Sequence, residues 1–354
     1  MKEIFEENGE DKFAKGQSRR DLRVKLGRRE TGGAALRSDR QCRRLPSFRR
    51  EFSARDSNQS TEVILEMETS VQASAQDRAQ ADITVVNASL NYLAEATPKP
   101  VSYSYEPPAG VPRQSGKYIK QSVAIRNGRD VLDELSLDVN GFVLTPHETA
   151  VKDFYDPDEV RAVYYPEVES LLKRMTGAER VLIFDHIVRN KVLAERGEKD
   201  AREPAKMVHN DYTFKSAPVR VRDLLPEEAD RLLGNRFAEI NVWRAIRGPI
   251  ESSPLALCDA RSLGVEDIVP MDLVYRERVG EIYGFLHNPK HRWYYFPRME
   301  HNEAILLKCY DSKADGRARF TAHTSFEDPN SPANAAPRES IEVRALVFWP
   351  AESN

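Results

Sequence analysis

The feature that most restricts the fold of this chain is a series of short β-prone runs in its second half, each bounded by turn residues. The runs span residues 239–246, 255–260, 273–277, 281–285, 293–296, 304–310, 319–326 and 341–349. Strands of this length at intervals of about ten residues are typical of an all-β sandwich or barrel. Between residues 156 and 177, apolar side chains instead recur at near-helical spacing up to a glycine. The sequence therefore predicts a mainly β fold with flanking helices.

The last of these runs has two different faces. Its apolar face consists of Ile341, Val343, Ala345, Val347 and Trp349, and its other face carries Arg338, Ser340, Glu342 and Arg344, followed by Leu346 and Phe348. A polar strand face with two arginines either meets solvent or lines a cavity that holds an anion. For this strand considered alone, the solvent-exposed alternative is favoured.

A His-x-Asp pair at His209 and Asp211 is a candidate metal site. If the backbone is extended there, the two side chains point the same way, about 7 Å apart. One imidazole and one carboxylate are two of the three ligands that hold non-haem Fe(II) in a two-His-one-carboxylate site. The pair alone is a weak signal, because the chain has seven histidines and many aspartates. His323, in the β-prone run 319–326, is the candidate third ligand.

Other chemistries have less support. His287 and His291 have the spacing of a helical zinc pair, but Pro289 lies between them and favours a turn. The sequence contains no Gly-rich phosphate loop, Gly-x-Ser-x-Gly elbow or dinucleotide fingerprint. The three cysteines are widely spaced, which favours a reducing compartment and a cytoplasmic location. No apolar run approaches the length of a membrane span.

The amino-terminal region has a different charge from the rest. Residues 1–60 carry 16 basic and 10 acidic side chains, whereas the remainder carries 37 and 46. A segment with few aromatics and no apolar period cannot bury enough surface to offset its ordering entropy. Residues 1–80 are therefore expected to form a disordered basic tail. A nucleic-acid-binding arm is possible for such a run, but a tail without a role is favoured, so nucleic acid is not expected as a partner.

The order of His-x-Asp, a strand-borne His and Arg-x-Ser resembles the Fe(II)/2-oxoglutarate-dependent oxygenases. Four pieces are similar to the fungal hydroxylase/desaturase family, which includes a gibberellin desaturase and is related to a cephamycin methoxylation component. These pieces lie at residues 164–168, 209–213, 241–244 and 338–344. The resemblance extends over residues 83–350 and implies a double-stranded β-helix, or jelly roll. It implies one oxygenase domain at 81–354, with flanking elements at 81–205 and the core at 206–350.

The resemblance also implies the site and its cofactors. His209, Asp211 and His323 would bind Fe(II), with 2-oxoglutarate and O2 as co-substrates. Arg338 and Ser340 would bind the far carboxylate of 2-oxoglutarate, and Arg344, on the same strand face, is the alternative anchor. The implied reaction is hydroxylation, desaturation or oxidative cyclisation of a small molecule in fungal secondary metabolism. The alternatives are a non-catalytic jelly-roll subunit that supports a partner enzyme and, more weakly, a nucleic-acid or histone demethylase.

The candidate substrate-binding residues are Tyr212, Trp243, Arg244, Arg247 and Phe348. Trp243 and Phe348 are equally typical of a core. Arg244 and Arg247 could clamp a substrate carboxylate, and a carboxylated substrate is therefore a further expectation. The sequence leaves open the substrate itself, the outcome of the reaction and the oligomeric state.

Overall fold

The structure is a computed structural model that describes residues 84–351. Its strands are β1 (Val85–Leu93), β2 (Val101–Tyr103), β3 (Tyr118–Asn127), β4 (Phe142–Pro146), β5 (Arg180–Asn190), β6 (His209–Asn210), β7 (Phe237–Ala245), β8 (Leu255–Cys258), β9 (Ile268–Val274), β10 (Val279–Phe285), β11 (Trp293–Tyr295), β12 (Glu303–Asp311), β13 (His323–Ser325) and β14 (Glu339–Phe348). The predicted basic tail, residues 1–80, lies outside the described residues.

Short helices connect and flank these strands. They are α1 (Pro157–Glu159), α2 (Tyr165–Thr176), α3 (Lys191–Arg196), α4 (Ser216–Leu224) and α5 (Ala229–Leu233), with a π-helical turn at Val160–Tyr164 and 3-10 turns at Gly128–Glu134, Ala260–Ser262 and Val265–Asp267. Within residues 84–351, no helix has the length and apolar character needed to cross a bilayer.

The strands form two sheets. The larger sheet has the order β1-β3-β11-β8-β13-β6-β10-β9-β2, and the smaller has the order β4-β12-β7-β14-β5. The chain crosses between the sheets several times, for example from β12 through β13 to β14. Side chains of both sheets, such as Trp243 of β7 and Leu257 of β8, pack in one buried cluster. The interior between the sheets is therefore where side chains from distant parts of the chain meet.

Strand β14 has the two faces that the sequence predicts. Ile341, Val343 and Ala345 pack in a core with Val168 and Leu171 of α2. Because successive side chains of a strand point to opposite faces, the polar residues point away from this core. Arg338, Ser340 and Glu342 are buried on that other face, so the solvent-exposed alternative is wrong.

The helical segment before β5 follows its end signals. The Asp156 carboxylate accepts a hydrogen bond of 2.9 Å from the Asp158 amide, and Pro157 occupies the first turn. Gly177 ends α2 with φ of 68°, a conformation that favours glycine. The chain therefore makes a sharp stop before it enters β5, the neighbour of β14.

One element prediction is wrong. The apolar residues at 90–96 suggest a helix, but β1 continues to Leu93. Every second residue of β1 is buried, at Val86, Ala88, Leu90 and Tyr92, which is the period of a strand. Helices α3 and α4 are not predicted by the sequence pattern. Most of run 319–326 is irregular, and only His323–Ser325 forms β13.

A buried hydrogen-bonded chain connects β1 with β11 and with the residues that precede β9 and β11 in the larger sheet. The Tyr92 hydroxyl accepts a bond of 2.7 Å from the Trp293 indole and lies 3.0 Å from Nδ1 of His291. The opposite nitrogen of His291, Nε2, lies 3.0 Å from the Asp267 carboxylate. All four residues are buried. An unsatisfied buried polar group in this chain would destabilise the fold.

We expect Tyr92→Phe to lower the free energy of unfolding by about 1–3 kcal/mol, because the indole N–H and the imidazole nitrogen lose a buried partner. Urea denaturation followed by circular dichroism measures this change. Tyr103→Phe is the control, since the Tyr103 hydroxyl forms no hydrogen bond with the described residues and should change stability little. Equal stability of the two variants would contradict the structural importance of the buried chain.

Candidate metal centre and cofactor cavity

Two adjacent strands bring together the residues of the predicted metal site. β6 and β13 pair antiparallel, with His323 directly opposite His209, and Asp211 follows β6 immediately. The ring centroids of the two histidines are 4.4 Å apart, and His209 Nε2 lies 3.6 Å from Asp211 Oδ1. One ligand atom from each of the three residues lies within 4.8 Å of the others. A single divalent ion could contact all three side chains at this separation.

His209 is oriented with a free nitrogen toward Asp211. Its Nδ1 lies 2.8 Å from the Met207 carbonyl oxygen, so Nδ1–H donates to that oxygen and the lone pair is on Nε2. Burial and the neighbouring His323 lower the pKa of His209 to about 4. The imidazole is therefore neutral at pH 7, which is the protonation state that a metal requires.

Asp211 is held as a carboxylate by two donors. Burial opposes its ionisation, but Arg344 and the two imidazoles hold its pKa well below the usual range. Its Oδ2 accepts bonds of 3.1 Å from Arg344 Nε and 3.0 Å from Asn241 Nδ2. Both donors occupy the same oxygen. The other oxygen, Oδ1, is the one directed toward His209.

Arg344 belongs to this supporting network. Besides Asp211 it binds the Asp185 carboxylate at 3.0 Å through Nη1. Asn241 also donates to Glu342 Oε1 at 3.1 Å. Two carboxylates accept hydrogen bonds from the guanidinium of Arg344 and a third, Glu342, lies 3.6 Å from it, so Arg344 is less available than Arg338 for a further anion.

An inner cavity adjoins the two histidines. The residues that line it include His209, His323, Trp243, Arg189, Arg338 and Glu342. Arg338 donates a bond of 2.6 Å to the Ser253 carbonyl oxygen, and its guanidinium lies 5.5 Å from the centroid of the Trp243 ring. Burial and the second cation Arg189 lower the pKa of Arg338 to about 9. An anion in the cavity would offset both the burial of the Arg338 charge and its repulsion by Arg189.

The polar groups around this cavity are not saturated. Arg338 Nε is buried and has no hydrogen-bond partner among the described residues, and the same holds for Ser340 Oγ, two residues further along and outside the cavity lining. Buried polar groups in folded proteins nearly always have a partner. A guanidinium and a hydroxyl beside two imidazoles and a carboxylate have the chemistry that a metal ion and a small dicarboxylate require. The cavity itself has a volume of about 10 Å³, so its side chains must move apart to admit a dicarboxylate.

Arg189 is a cavity residue that sequence analysis misses. It lies on β5 directly opposite Ser340 of β14, and its Nη1 donates a bond of 2.7 Å to the Glu203 carbonyl oxygen. The apolar run at residues 181–184 predicts only the start of this strand, because Asp185 and His186 interrupt the run before the apolar residues 187 and 188. Pairing of the whole of β5 with β14 is the signal that identifies Arg189.

The five predicted substrate residues are divided by the structure. Trp243 lines the inner cavity, and Tyr212 lines a second, larger cleft together with Asp211 and Arg344. Arg244, Arg247 and Phe348 line neither cavity.

The structure places Arg244, Arg247 and Phe348 away from both cavities. Arg244 follows Trp243 on β7 and so points to the opposite face, where its guanidinium lies 5.4 Å from the ring centroids of Phe154 and Tyr164. Arg247 is exposed and lies 3.5 Å from Glu339. Phe348 is a core residue stacked on Phe237. A substrate role for these three residues stays a prediction without support from their placement.

Comparisons with known proteins identify the family of the chain. Residues 90–348 match the family model described as oxidoreductase/YMDC permease-like domain. The hydroxylase/desaturase efuI of Hormonema carpetanum is 36% identical over 286 residues, which cover 75% of this chain and 95% of that protein. The Fe(II)/2-oxoglutarate-dependent dioxygenase nvfI of Aspergillus novofumigatus is 32% identical over 71% of this chain and 92% of its own length.

The solved structures agree as well. The iron and alpha-ketoglutarate-dependent endoperoxidase NvfI superposes with a TM-score of 0.68 and 28% identity, covering 75% of this chain and 98% of that one. Two opposed sheets around the His-Asp-His cluster, together with these relatives, define a jelly-roll oxygenase that uses non-haem iron and 2-oxoglutarate. Within that class, the chain belongs to the fungal hydroxylase/desaturase family. Its cofactor is Fe(II), and its co-substrates are 2-oxoglutarate and O2.

Proposed function

We propose that His209, Asp211 and His323 hold the iron, and that Arg338 and Ser340 hold the far carboxylate of 2-oxoglutarate. One observation carries this assignment. The two imidazoles and the carboxylate lie within 4.8 Å of one another, beside a cavity that contains a buried guanidinium with an unpartnered Nε. The enzyme then oxidises a C–H bond of a small molecule.

The bound iron and 2-oxoglutarate supply the oxidising chemistry, in which O2 and 2-oxoglutarate are consumed and succinate and carbon dioxide are released. The chain's own residues provide the geometry. The Met207 carbonyl oxygen fixes the His209 ring by accepting a hydrogen bond from Nδ1–H. Arg344 and Asn241 occupy one oxygen of Asp211 and leave the other for the metal. Trp243 and Leu255 line the cavity and exclude water from its apolar side.

Arg338 is the better anchor for 2-oxoglutarate than Arg344. Arg338 lines the same cavity as both histidines, whereas two carboxylates already bind Arg344. A buried charge-assisted bond to a carboxylate contributes about 1.5–3 kcal/mol. Arg189 lines the cavity as a second cation and would balance the second negative charge of 2-oxoglutarate.

The substrate class and setting are also part of the proposal. The relatives include an aspirochlorine biosynthesis protein of Aspergillus oryzae, 44% identical over 37% of this chain, which supports a role in secondary metabolism. Basic residues that line the cleft beside Asp211 support a substrate with a carboxylate. We further propose a cytoplasmic location and a single oxygenase domain at residues 81–354.

The test is turnover of 2-oxoglutarate by the full chain. After anaerobic loading with Fe(II), exposure to 2-oxoglutarate and air should release succinate, and omission of iron should abolish the release. Calorimetry under anaerobic conditions should show that iron loading strengthens 2-oxoglutarate binding. A non-catalytic scaffold subunit predicts neither result. Absence of both would overturn the proposed function.

A further inference from the structure

A second cleft lies beside the metal ligands. Its volume is about 360 Å³, within the usual range for small-molecule sites. Asp211, Tyr212 and Arg344 form part of its wall. It shares no lining residue with the inner cavity, so an occupant of the cleft need not compete with 2-oxoglutarate for the same residues.

The acidic residues of this cleft are mostly neutralised. Asp272 and Glu281 both bind Lys99, at 2.5 and 2.8 Å. Asp211 belongs to the metal site and contacts Arg344. Only Asp223, which is exposed, forms no ion pair among the acids that line the described cleft.

Two arginines of the cleft have no acidic partner. Arg278 is exposed, and its guanidinium stacks 4.1 Å from the centroid of the Tyr275 ring. Arg220, on α4, forms no hydrogen bond or ion pair with residues 84–351, and its guanidinium lies 4.9 Å from the centroid of the Phe184 ring. Its Nε is buried without a partner. A desolvated guanidinium nitrogen without an acceptor is unfavourable, so the site favours an anionic occupant.

Glu239 forms no salt bridge with Arg220. It is buried within electrostatic range of Arg220, but no hydrogen bond or ion pair among the described residues joins the two side chains. The Arg220 guanidinium therefore has no carboxylate acceptor within residues 84–351.

The remaining wall of the cleft is apolar. Val219, Leu273, Val279 and Ile282 line it, and Val219 and Val279 are 49% and 64% exposed. Exposed apolar side chains grouped at a cleft mark a binding surface more often than isolated ones do. The wall therefore fits a hydrocarbon skeleton, with Arg220 as a fixed cationic contact.

We propose that this cleft binds the substrate and that Arg220 holds the carboxylate of an otherwise apolar acid. The inference rests on the proposed function, because it takes the neighbouring cluster as the place of oxidation. It distinguishes two carboxylate sites. Arg338 takes the co-substrate in the inner cavity, and Arg220 takes the substrate in the cleft.

The test uses 8-anilino-1-naphthalenesulfonate, an apolar fluorescent anion, with the full chain loaded with Mn²⁺ and saturating 2-oxoglutarate. The co-substrate blocks the Arg338 site, and no turnover is required. The wild-type chain should bind the probe, and decanoate should displace it better than methyl decanoate or decylamine. Arg220→Gln should raise the Kd of the probe by about 10- to 100-fold, the loss expected for one charge-assisted bond.

Three further variants make the outcome decisive. Arg222→Gln is the matched control on the same helix, because Arg222 pairs with Asp230 at 3.5 Å outside the cleft and should leave the Kd unchanged. Arg220→Lys keeps the charge and should retain most of the affinity. If Arg220→Gln binds as the wild type does, or if Arg278→Gln alone loses affinity, the assignment to Arg220 is wrong. Because the probe assay involves no oxidation, its result is independent of succinate release.

Discussion

Replacing His209 with alanine should reduce iron-dependent succinate release to the rate measured without enzyme. His209 supplies a neutral nitrogen, with its opposite N–H bound to Met207 at 2.8 Å and Nε2 directed at Asp211. Two ligands cannot replace a three-residue face in a non-haem iron site. The same result is expected for Asp211→Ala. Iron content after anaerobic loading and desalting, measured beside succinate release, separates lost metal from lost chemistry.

Two control variants make this prediction specific. His301→Ala changes an exposed histidine outside the cluster and should keep full turnover. Asn241→Ala removes one of the two donors to Asp211 Oδ2 and should weaken iron affinity by about 10- to 100-fold without abolishing it. Full activity of His209→Ala would refute the assignment of the iron ligands.

Replacing Arg338 with glutamine should raise the KM for 2-oxoglutarate by about 100-fold, because a buried charge-assisted contact of about 2–3 kcal/mol is lost. Iron binding should be nearly unchanged, since Arg338 does not contact Asp211 or either histidine by a hydrogen bond among the described residues. Arg338→Lys should recover little, because an ammonium lacks the planar fork of the guanidinium. Initial rates of succinate formation across a range of 2-oxoglutarate concentrations measure the effect.

Arg344→Gln provides the contrast. Its guanidinium binds Asp211 and Asp185, so its loss should weaken iron binding more than 2-oxoglutarate binding. An unchanged KM in Arg338→Gln, together with a raised KM in Arg344→Gln, would reverse the two roles.

The fold was predictable because strand periodicity is a local property. The two faces of β14 follow from alternating residues alone, and the helix that ends at Gly177 follows from its end signals. The continuation of β1 to Leu93 was not predictable, because the spacing of its apolar residues fits a helix as well as a strand. Pairing with β3 decides between the two, and such pairing is not visible in one sequence.

The site was predictable where a short motif carries the chemistry. His209 and Asp211 stand two residues apart, and His323 lies in a β-prone run, so their convergence could be expected. The role of Arg344 in holding Asp211 could not be expected, because this hydrogen bond joins segments that are far apart in sequence. Arg244 lies one step along β7 from Trp243, and that step turns its side chain away from the inner cavity.

Arg344 has a thermodynamic consequence beyond orientation. The same guanidinium anchors one oxygen of Asp211 and forms part of the cleft wall. A ligand in the cleft that binds or displaces the Arg344 guanidinium changes the affinity of the site for the metal ion. By thermodynamic linkage, the metal ion must then change the affinity for that ligand by the same factor. The iron and the occupant of the cleft are therefore expected to change each other's affinity through Arg344.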